Sequence, residues 1–419
     1  MLSEIYGTAT GAKDGDIQDG EARNGAIHVL SLLMTKSADG IIDPKLVLSS
    51  VLNALGTPSA FIGALVPIRE AGALVPQIAL AARIEEATTR RYFWAAGSAV
   101  QGLAAVAIAL ALWQLDGAAA GWAVVAALVV FSVARAVCSV TYKDALARSI
   151  PKTRRGAITG AAGSAAAAVV LAFGALLATG ILPPEPWALA AAIALAGAAW
   201  CAAALLFTRL DEREVEADGE EPVLSRLARP LSDRQFRRFV IARALLTGTA
   251  PAPPFLLRAS ASAERHALDK LAPLVLASAA ASILSSFVWG RLSDRSSRRV
   301  LAYSAALATV TLGVSAALSI LTGGLGGLVG SVAAIFVAQT AYEGVRAGRK
   351  LHLTDMASDE NRTRYTALSN TLIGAVLVLG GALGFLADLA GPGVVLAVLA
   401  VASAVAILPA LGLDEVQDG

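Results

Sequence analysis

Twelve stretches of mostly apolar residues, each about 20 residues or longer, constrain this chain more than any other feature. In hydrocarbon an unpaired backbone N–H or C=O costs several kcal/mol, so such a stretch must close its hydrogen bonds internally, as a helix. The expected spans are roughly 27–55, 59–82, 92–114, 120–142, 157–180, 186–208, 237–257, 268–291, 299–321, 325–347, 365–388 and 392–413. The first is too long for one straight crossing. It is interrupted at Asp39-Gly40 and at Asp43-Pro44, and a proline lacks a backbone donor, so a broken or kinked helix is predicted there. Composition agrees. Hydrophobic residues make up 56% of the chain and charged residues 16%, with a mean hydropathy of +0.65. That leaves too little polar residue to coat a soluble globule of this size. Cys138 and Cys201 both lie in apolar runs and read as small buried hydrophobes, not as a disulfide or metal pair.

The connections alternate in character. Gly56-Thr57-Pro58, Leu115-Asp116-Gly117, Leu182-Pro183-Pro184, Thr322-Gly323-Gly324 and Gly391-Pro392-Gly393 are nearly uncharged, and the longer 258–270 connection on that side has Arg258, Arg265 and Lys270. The other set holds 24 basic residues against those 3. The excess of Lys and Arg marks the cytoplasmic side, so both termini and the 209–236 linker are expected in the cytoplasm. The first 25 residues are rich in acids and lack a basic start or an apolar core, so residues 1–26 read as a cytoplasmic tail and not as a signal peptide. The linker begins with an acidic cluster, Asp211 to Glu221, and continues with Leu224-Ser225-Arg226-Leu227-Ala228-Arg229. That second part fits either a surface-lying amphipathic helix or a solvated tether. Residues 414–419 form a short cytoplasmic tail. Trp94, Trp113, Trp122 and Trp187 fall near span ends and fit interfacial anchors.

One connection stands out: Gly290-Arg291-Leu292-Ser293-Asp294-Arg295-Ser296-Ser297-Arg298-Arg299. A weaker copy runs from Arg83 to Arg91, and an offset of 208 pairs Arg83 with Arg291, Glu86 with Asp294, Arg90 with Arg298 and Arg91 with Arg299. Arg154-Arg155 falls near Asn361-Arg362 at an offset of 207. The repeat divides the chain into a half at 27–208 and a half at 237–413 with the same orientation, related by an axis along the membrane normal.

On these residues the chain resembles the major facilitator superfamily of secondary transporters. The family's turn between helices two and three, often repeated between eight and nine, runs approximately G-x-L-x-D-R-x-G-R-R. Gly290, Leu292, Asp294, Arg295, Arg298 and Arg299 are in register with it, and Ser297 replaces a glycine. In the first copy Ala82 and Glu86 replace the glycine and the aspartate. The resemblance implies an all-α integral membrane protein of twelve transmembrane helices in two pseudo-symmetric six-helix halves. It also implies a cytoplasmic gate formed by Glu86, Arg90, Arg91, Gly290, Arg291, Asp294, Arg295, Arg298, Arg299 and Arg346. Asp294 would hold that side closed through Arg346, Arg349 or Lys350, and Glu86 through Lys143 or Arg155. Arg135 is similar to the fourth-helix arginine of many proton-coupled drug antiporters in the family, although Cys138 and Ser139 stand where glutamine and glycine are common.

Ionisable groups at membrane depth cost about 2.5–3.5 kcal/mol each on insertion scales and so point to function. Lys36, Asp39 and Asp43, spaced by three and four, share a helix face. With Arg69, Glu70, Arg135, Arg243 and Glu343 they form the expected substrate or proton site, and Lys45 completes the set. Two accounts stay open. The groups line a central cavity where carboxylates take up protons or meet a polar solute, or they are fixed salt bridges joining helices, such as Lys36 with Asp39 or Arg69 with an acid on the first helix.

No phosphate-binding glycine loop followed by lysine and serine or threonine occurs, and no nucleophile–base set or metal cluster stands out. The expectation is therefore a monomeric, non-enzymatic secondary transporter without a cofactor or nucleic-acid partner, in the plasma (bacterial inner) membrane. It would move a small organic molecule through the lipid bilayer, driven by a proton gradient, with export favoured. The rivals are an uptake symporter or facilitator and a non-transporting sensor or assembly partner.

Overall fold

The computed structural model describes residues 20–77, 88–151, 154–213, 229–260, 271–356 and 362–416, with Tyr6, Ile17 and Leu80. Every regular element among them is helical. The first stretch gives α1 (Glu21–Ile41), α2 (Val47–Ala54) and α3 (Ser59–Leu74). Next come α4 (Arg91–Gln114), α5 (Gly117–Ser149), α6 (Arg155–Ala178) and α7 (Pro186–Phe207). After the linker follow α8 (Arg234–Leu246), α9 (Ala252–Ser260), α10 (Leu271–Arg295) and α11 (Ser297–Thr322). The chain closes with α12 (Gly327–Met356), α13 (Arg362–Gly380), α14 (Leu383–Ala390) and α15 (Pro392–Leu411).

Among the described residues, ten helical segments are long and apolar enough to cross a bilayer. The expected spans at 27–55 and 59–82 are not among them. The first is divided between α1 and α2, and α1 carries Glu21, Arg23, Lys36 and Asp39. The second is described as the 16-residue α3, and residues 78–79 and 81–87 lie outside the described ones. The break in the first stretch falls at Asp43-Pro44 and not at Asp39-Gly40, where the helix continues to Ile41. Asp43 Oδ1 accepts from the backbone N–H of Lys45 (2.6 Å) and of Leu46 (3.1 Å), so it satisfies donors that open the next turn. A matching break separates α8 from α9, where the 3-10 turn Thr247–Thr249 runs into Pro251. Pro44 and Pro251 are separated by 207 residues, the spacing of the sequence repeat.

The packing repeats as well. Before the linker, α4 packs on α5 and α7, α3 on α5, and α1 on α6 and α7. After it, α11 packs on α12 and α15, α10 on α12, and α8 on α13 and α15. These are the same neighbours in the same chain order. Between the two groups, α3 lies along α13 and α14, and α6 meets α10. Small residues allow the closest crossings. A Cβ on Gly197 would stand 2.8 Å from Gly102 O, and one on Gly102 would stand 2.6 Å from Gly197 O, so α4 and α7 touch backbone to backbone. Beside this crossing Phe131 meets Trp200 edge to face at 5.0 Å.

Outward-facing side chains are apolar. Leu205, Leu321, Leu389 and Leu408 are exposed, as are Leu195 and Leu379. Such a surface suits lipid. Trp113, Trp122 and Trp187 are exposed near helix ends, as anchors should be. Trp94 is not: it is buried against Phe207, with ring centroids 4.0 Å apart. The expected tail is also packed at its end. The α1 helix begins at Glu21, ahead of residue 27, and the buried Glu21 carboxylate accepts from Tyr6 Oη (2.7 Å) and Arg154 Nη1 (2.5 Å). The expected amphipathic segment at 224–229 falls largely outside the described residues, which resume with the 3-10 turn Arg229–Ser232.

A pair of identical substitutions tests the close crossing. Gly197→Ala is expected to destabilise the protein by about 1–3 kcal/mol through overpacking. Gly160→Ala, where no atom stands within 4 Å, should be neutral or mildly stabilising. Thermal unfolding of both variants in detergent measures the contrast.

Candidate functional site

Asp39 is the junction of three helices. Its Oδ1 accepts from Arg69 Nη2 at 2.7 Å, and its Oδ2 accepts from Arg135 Nη1 at 2.5 Å. α1, α3 and α5 are thereby tied through one carboxylate. Arg69 is buried and its guanidinium lies 5.2 Å from the centre of the Phe131 ring, a cation–π arrangement. Arg135 is more open, with 37% of its side chain exposed. Of the two salt bridges anticipated for the first helix, Arg69 with an acid forms. Lys36 with Asp39 is absent from the ion pairs of the described residues.

Glu70 follows Arg69 on α3 and makes no hydrogen bond or ion pair among the described residues. It lies in the field of Lys45, Arg349, Arg135 and Arg69. Lys45 is held in turn with its Nζ 3.3 Å above the ring centre of Tyr342 on α12. Asp43 stands apart from this group, since it is committed to the turn before α2. Glu343 accepts from Ser282 Oγ (3.2 Å) and Gln339 Nε2 (3.0 Å) and pairs with Arg346 at 3.6 Å. Arg243, buried on α8, donates to Ser369 Oγ (2.6 Å) and Asn370 Oδ1 (2.9 Å).

A cavity joins these elements. Glu70 and Leu74 of α3 form one wall, Arg243 and Leu246 of α8 a second, and Tyr342, Arg346 and Arg349 of α12 a third. As it stands the cavity is narrow, about 20 Å³, room for roughly one water, so a solute needs the two groups to part. The wider surroundings are open. Lys36 on α1 lies in the field of Arg346 and Lys350 on α12, yet Lys36, Arg346 and Lys350 are all exposed. Gly156, Gly160 and Gly163 share one face of α6. The first two have no atom within 4 Å of a Cβ, and the third meets Lys36 Nζ at 3.5 Å. An open cleft therefore runs beside Lys36, Arg346 and the glycine face of α6, towards the end of the bundle that carries the basic connections.

The opposite end is sealed. Asp388, in the last turn of α14, accepts from the backbone N–H of Ser59 (3.0 Å) and Ala60 (2.8 Å), the first residues of α3. A carboxylate on a helix N-terminus gains from unpaired N–H groups and from the helix dipole. Below it a Cβ on Gly63 would come 2.5 Å from Gly384 Cα, and one on Gly174 of α6 would come 2.9 Å from Leu276 of α10. Sequence reasoning missed Asp388. Its only signal was an acid close to a connection otherwise free of charge.

The candidate gate residues are placed as follows. Glu86 lies outside the described residues, as does the Asp294 side chain. Arg90 donates through Nε to Asp144 Oδ2 (2.7 Å), and the backbone N–H groups of Arg90 (2.6 Å) and Arg91 (2.8 Å) donate to Glu212 Oε1. In the second turn Ser296 Oγ (2.6 Å) and Arg298 Nε (3.1 Å) donate to Glu415 Oε2. An acid from just beyond each group's last helix thus clamps each basic turn. Neither acid was singled out from sequence. Arg291, Arg295 and Arg299 are exposed on this end, and nothing stands within 4 Å of a Cβ at Gly290.

No protein-family profile and no curated relative matches this sequence. Solved structures do. The chain is similar to a point mutant of the nucleoside transporter NupG, at 14% identity and a TM-score of 0.68 over 93% of this chain and 99% of that one. It is similar to a POT family transporter in complex with a thioalcohol-conjugated peptide, at 9% identity and 0.69, over 93% and 95%. It is also similar to a bacterial homologue of the human lysosomal transporter Spinster, inward-facing and unoccupied, at 15% identity and 0.60, over 95% and 98%. At such low identity the likeness establishes the fold, which is that of the major facilitator transporters.

Asp39→Asn removes the shared acid and leaves two arginines facing each other. Breaking a buried ion pair this way is expected to cost about 3 kcal/mol, read as a lower melting temperature of the purified protein. Arg135→Gln should cost less, because that side chain is partly solvated.

Proposed function

We propose that the chain is a secondary transporter of the major facilitator superfamily, moving a small organic solute across the membrane by alternating access. It makes twelve crossings in two six-helix halves, 27–208 and 237–413, about an axis along the membrane normal. The basic end and both termini face the cytoplasm of a cell whose plasma membrane it spans. The observation that carries this reading is the charged cavity where α3 of one group meets α8 and α12 of the other. The supporting geometry is a cleft open towards one end and an Asp388 seal at the other. A site between two bodies that are closed on one side only is what alternating access requires.

Among the carboxylates, Glu70 is assigned the coupling proton. Asp39 is shared by two arginines, Asp43 opens a helix and Glu343 is held by three partners. Glu70 has no direct partner among the described residues and borders the cavity, so its charge is the one a passing solute or proton meets. Arg135, which resembles the antiporter arginine, favours export. No enzymatic step is assigned to any of these groups. Asp294 and Glu86 remain the proposed cytoplasmic gate, with the Glu212 and Glu415 clamps fixing the turns on which they sit.

Flux of a broad solute panel in proteoliposomes, with an imposed pH gradient and an internal pH dye, tests the proposal. Wild-type protein is expected to move at least one solute together with protons. Glu70→Gln should keep solute exchange and lose acceleration by the gradient. Folded wild-type protein that moves nothing across the panel would instead favour a sensor or assembly role.

A further inference from the structure

We infer that the transported solute is an organic anion, and that Arg243 and Arg349 receive its carboxylate or phosphate group. The inference rests on the transport reading and names the substrate class of the same cavity.

Arg243 carries most of the argument. It is nine residues into α8, about 13 Å along the helix at 1.5 Å per residue, and only 6% exposed. Its terminal nitrogens donate to a hydroxyl and an amide, both neutral, and its Nε has no partner. No carboxylate lies within ion-pair distance of it among the described residues. A buried guanidinium without a counter-ion is costly. The preference for basic residues on the cytoplasmic face accounts for exposed arginines in loops. It does not account for one fixed inside the bundle by Ser369 and Asn370, on the lining of a cavity.

Glu70 lies in the field of Arg243 and of Arg349, but among the described residues no acid forms an ion pair with either. Asp39 is taken by Arg69 and Arg135, and Glu343 by Arg346 and two neutral donors. Glu70 alone borders the cavity as an acid, while Arg243, Arg346 and Arg349 border it as cations. Arg349 makes no hydrogen bond or ion pair among the described residues. Lys45 and Lys36 add positive charge at the cavity and in the cleft leading to it. Two guanidiniums that line one space without an ion pair among the described residues match the planar oxygens of a carboxylate or phosphate. An anion leaving the cytoplasm also moves with the membrane potential, which agrees with export.

The test reads the sign of the cavity without knowing the natural solute. In a background of Cys138→Ala and Cys201→Ala, Thr247→Cys places a thiol on the cavity lining. Reaction rates are measured with a sulfonate-bearing and a trimethylammonium-bearing methanethiosulfonate, each normalised to its rate with free cysteine. The anionic reagent is expected to be favoured about tenfold. Adding Arg243→Gln and Arg349→Gln should bring the ratio close to one, with melting temperature checked in each variant. A preference for the cation, or a ratio that the arginine substitutions do not change, overturns the inference. If neither reagent reacts in well-folded protein, the cavity does not open, and the transport reading fails with it. Solute flux combined with a cation-preferring thiol overturns the anion assignment alone. Protection of the thiol by benzoate and by phenyl phosphate, with benzamide as the neutral control, tells carboxylate from phosphate. Protection by benzamide equal to that by both anions also counts against the inference.

Discussion

The shared carboxylate of Asp39 is the interaction on which the rest of the site depends. In water a side chain bridging two arginines would be one surface ion pair among many, worth little. At membrane depth each unpaired charge is expensive, so the acid fixes where α1, α3 and α5 sit relative to one another. Fixing α3 also fixes Glu70, which follows Arg69 directly. The carboxylate that borders the cavity is thus positioned by one that does not. The proline break at Pro44 lies close in sequence to Asp39, and the one at Pro251 close to Arg243. They let α1 hand over to α2, and α8 to α9, with a change of direction where a continuous helix would be stiff.

The two ends of the bundle are built differently. At the far end, backbone meets backbone at Gly63 and Gly384, and Asp388 caps a helix of the other group. That contact is short-ranged and holds only while the two groups are close. At the basic end, Glu212 and Glu415 each tie a turn to its own group. They make each turn rigid without joining the groups. Between the ends α3 packs on α13, where a Cβ on Gly374 would come 2.7 Å from Val75, and Asn370 Nδ2 donates to Gln77 Oε1 across the groups at 3.2 Å, a neutral hydrogen bond of about 1 kcal/mol. The Asp388 cap is a charged inter-group contact among the described residues, and the cleft opens towards the other end.

Much of this was legible in the sequence. Apolar length and the alternation of basic and neutral connections gave the membrane helices. The 208-residue repeat agrees with the repeated packing of α4 with α7 and α11 with α15. Interruptions were expected at both Asp39-Gly40 and Asp43-Pro44; only the second forms, because proline cannot donate, whereas Gly40 has its N–H and stays inside the helix. Pairing Arg69 with a first-helix acid was one of two options, and spacing alone could not show that Arg135 would reach the same carboxylate. Other features were hidden for physical reasons. Trp94 looks like an interfacial ring by position, but its burial depends on Phe207, 113 residues away. Glu212 reads as one more acid in a run, and Asp388 as a stray one. Their roles are set by which helix N-terminus lies near them in space, and no local pattern encodes that. Arg243 was visible as a charge in an apolar span, while the neutrality of its partners was not.

The central claim is that two helix groups move about this buried charged centre. Pulsed electron–electron spin resonance between labels at Gly160→Cys on α6 and Gly290→Cys on α10, in a cysteine-free background, measures it most directly. The account predicts two distance populations at the basic end. Asp388→Asn, which weakens the far-end seal, should enrich the shorter one. A single distance distribution that Asp388→Asn leaves unchanged would contradict the account.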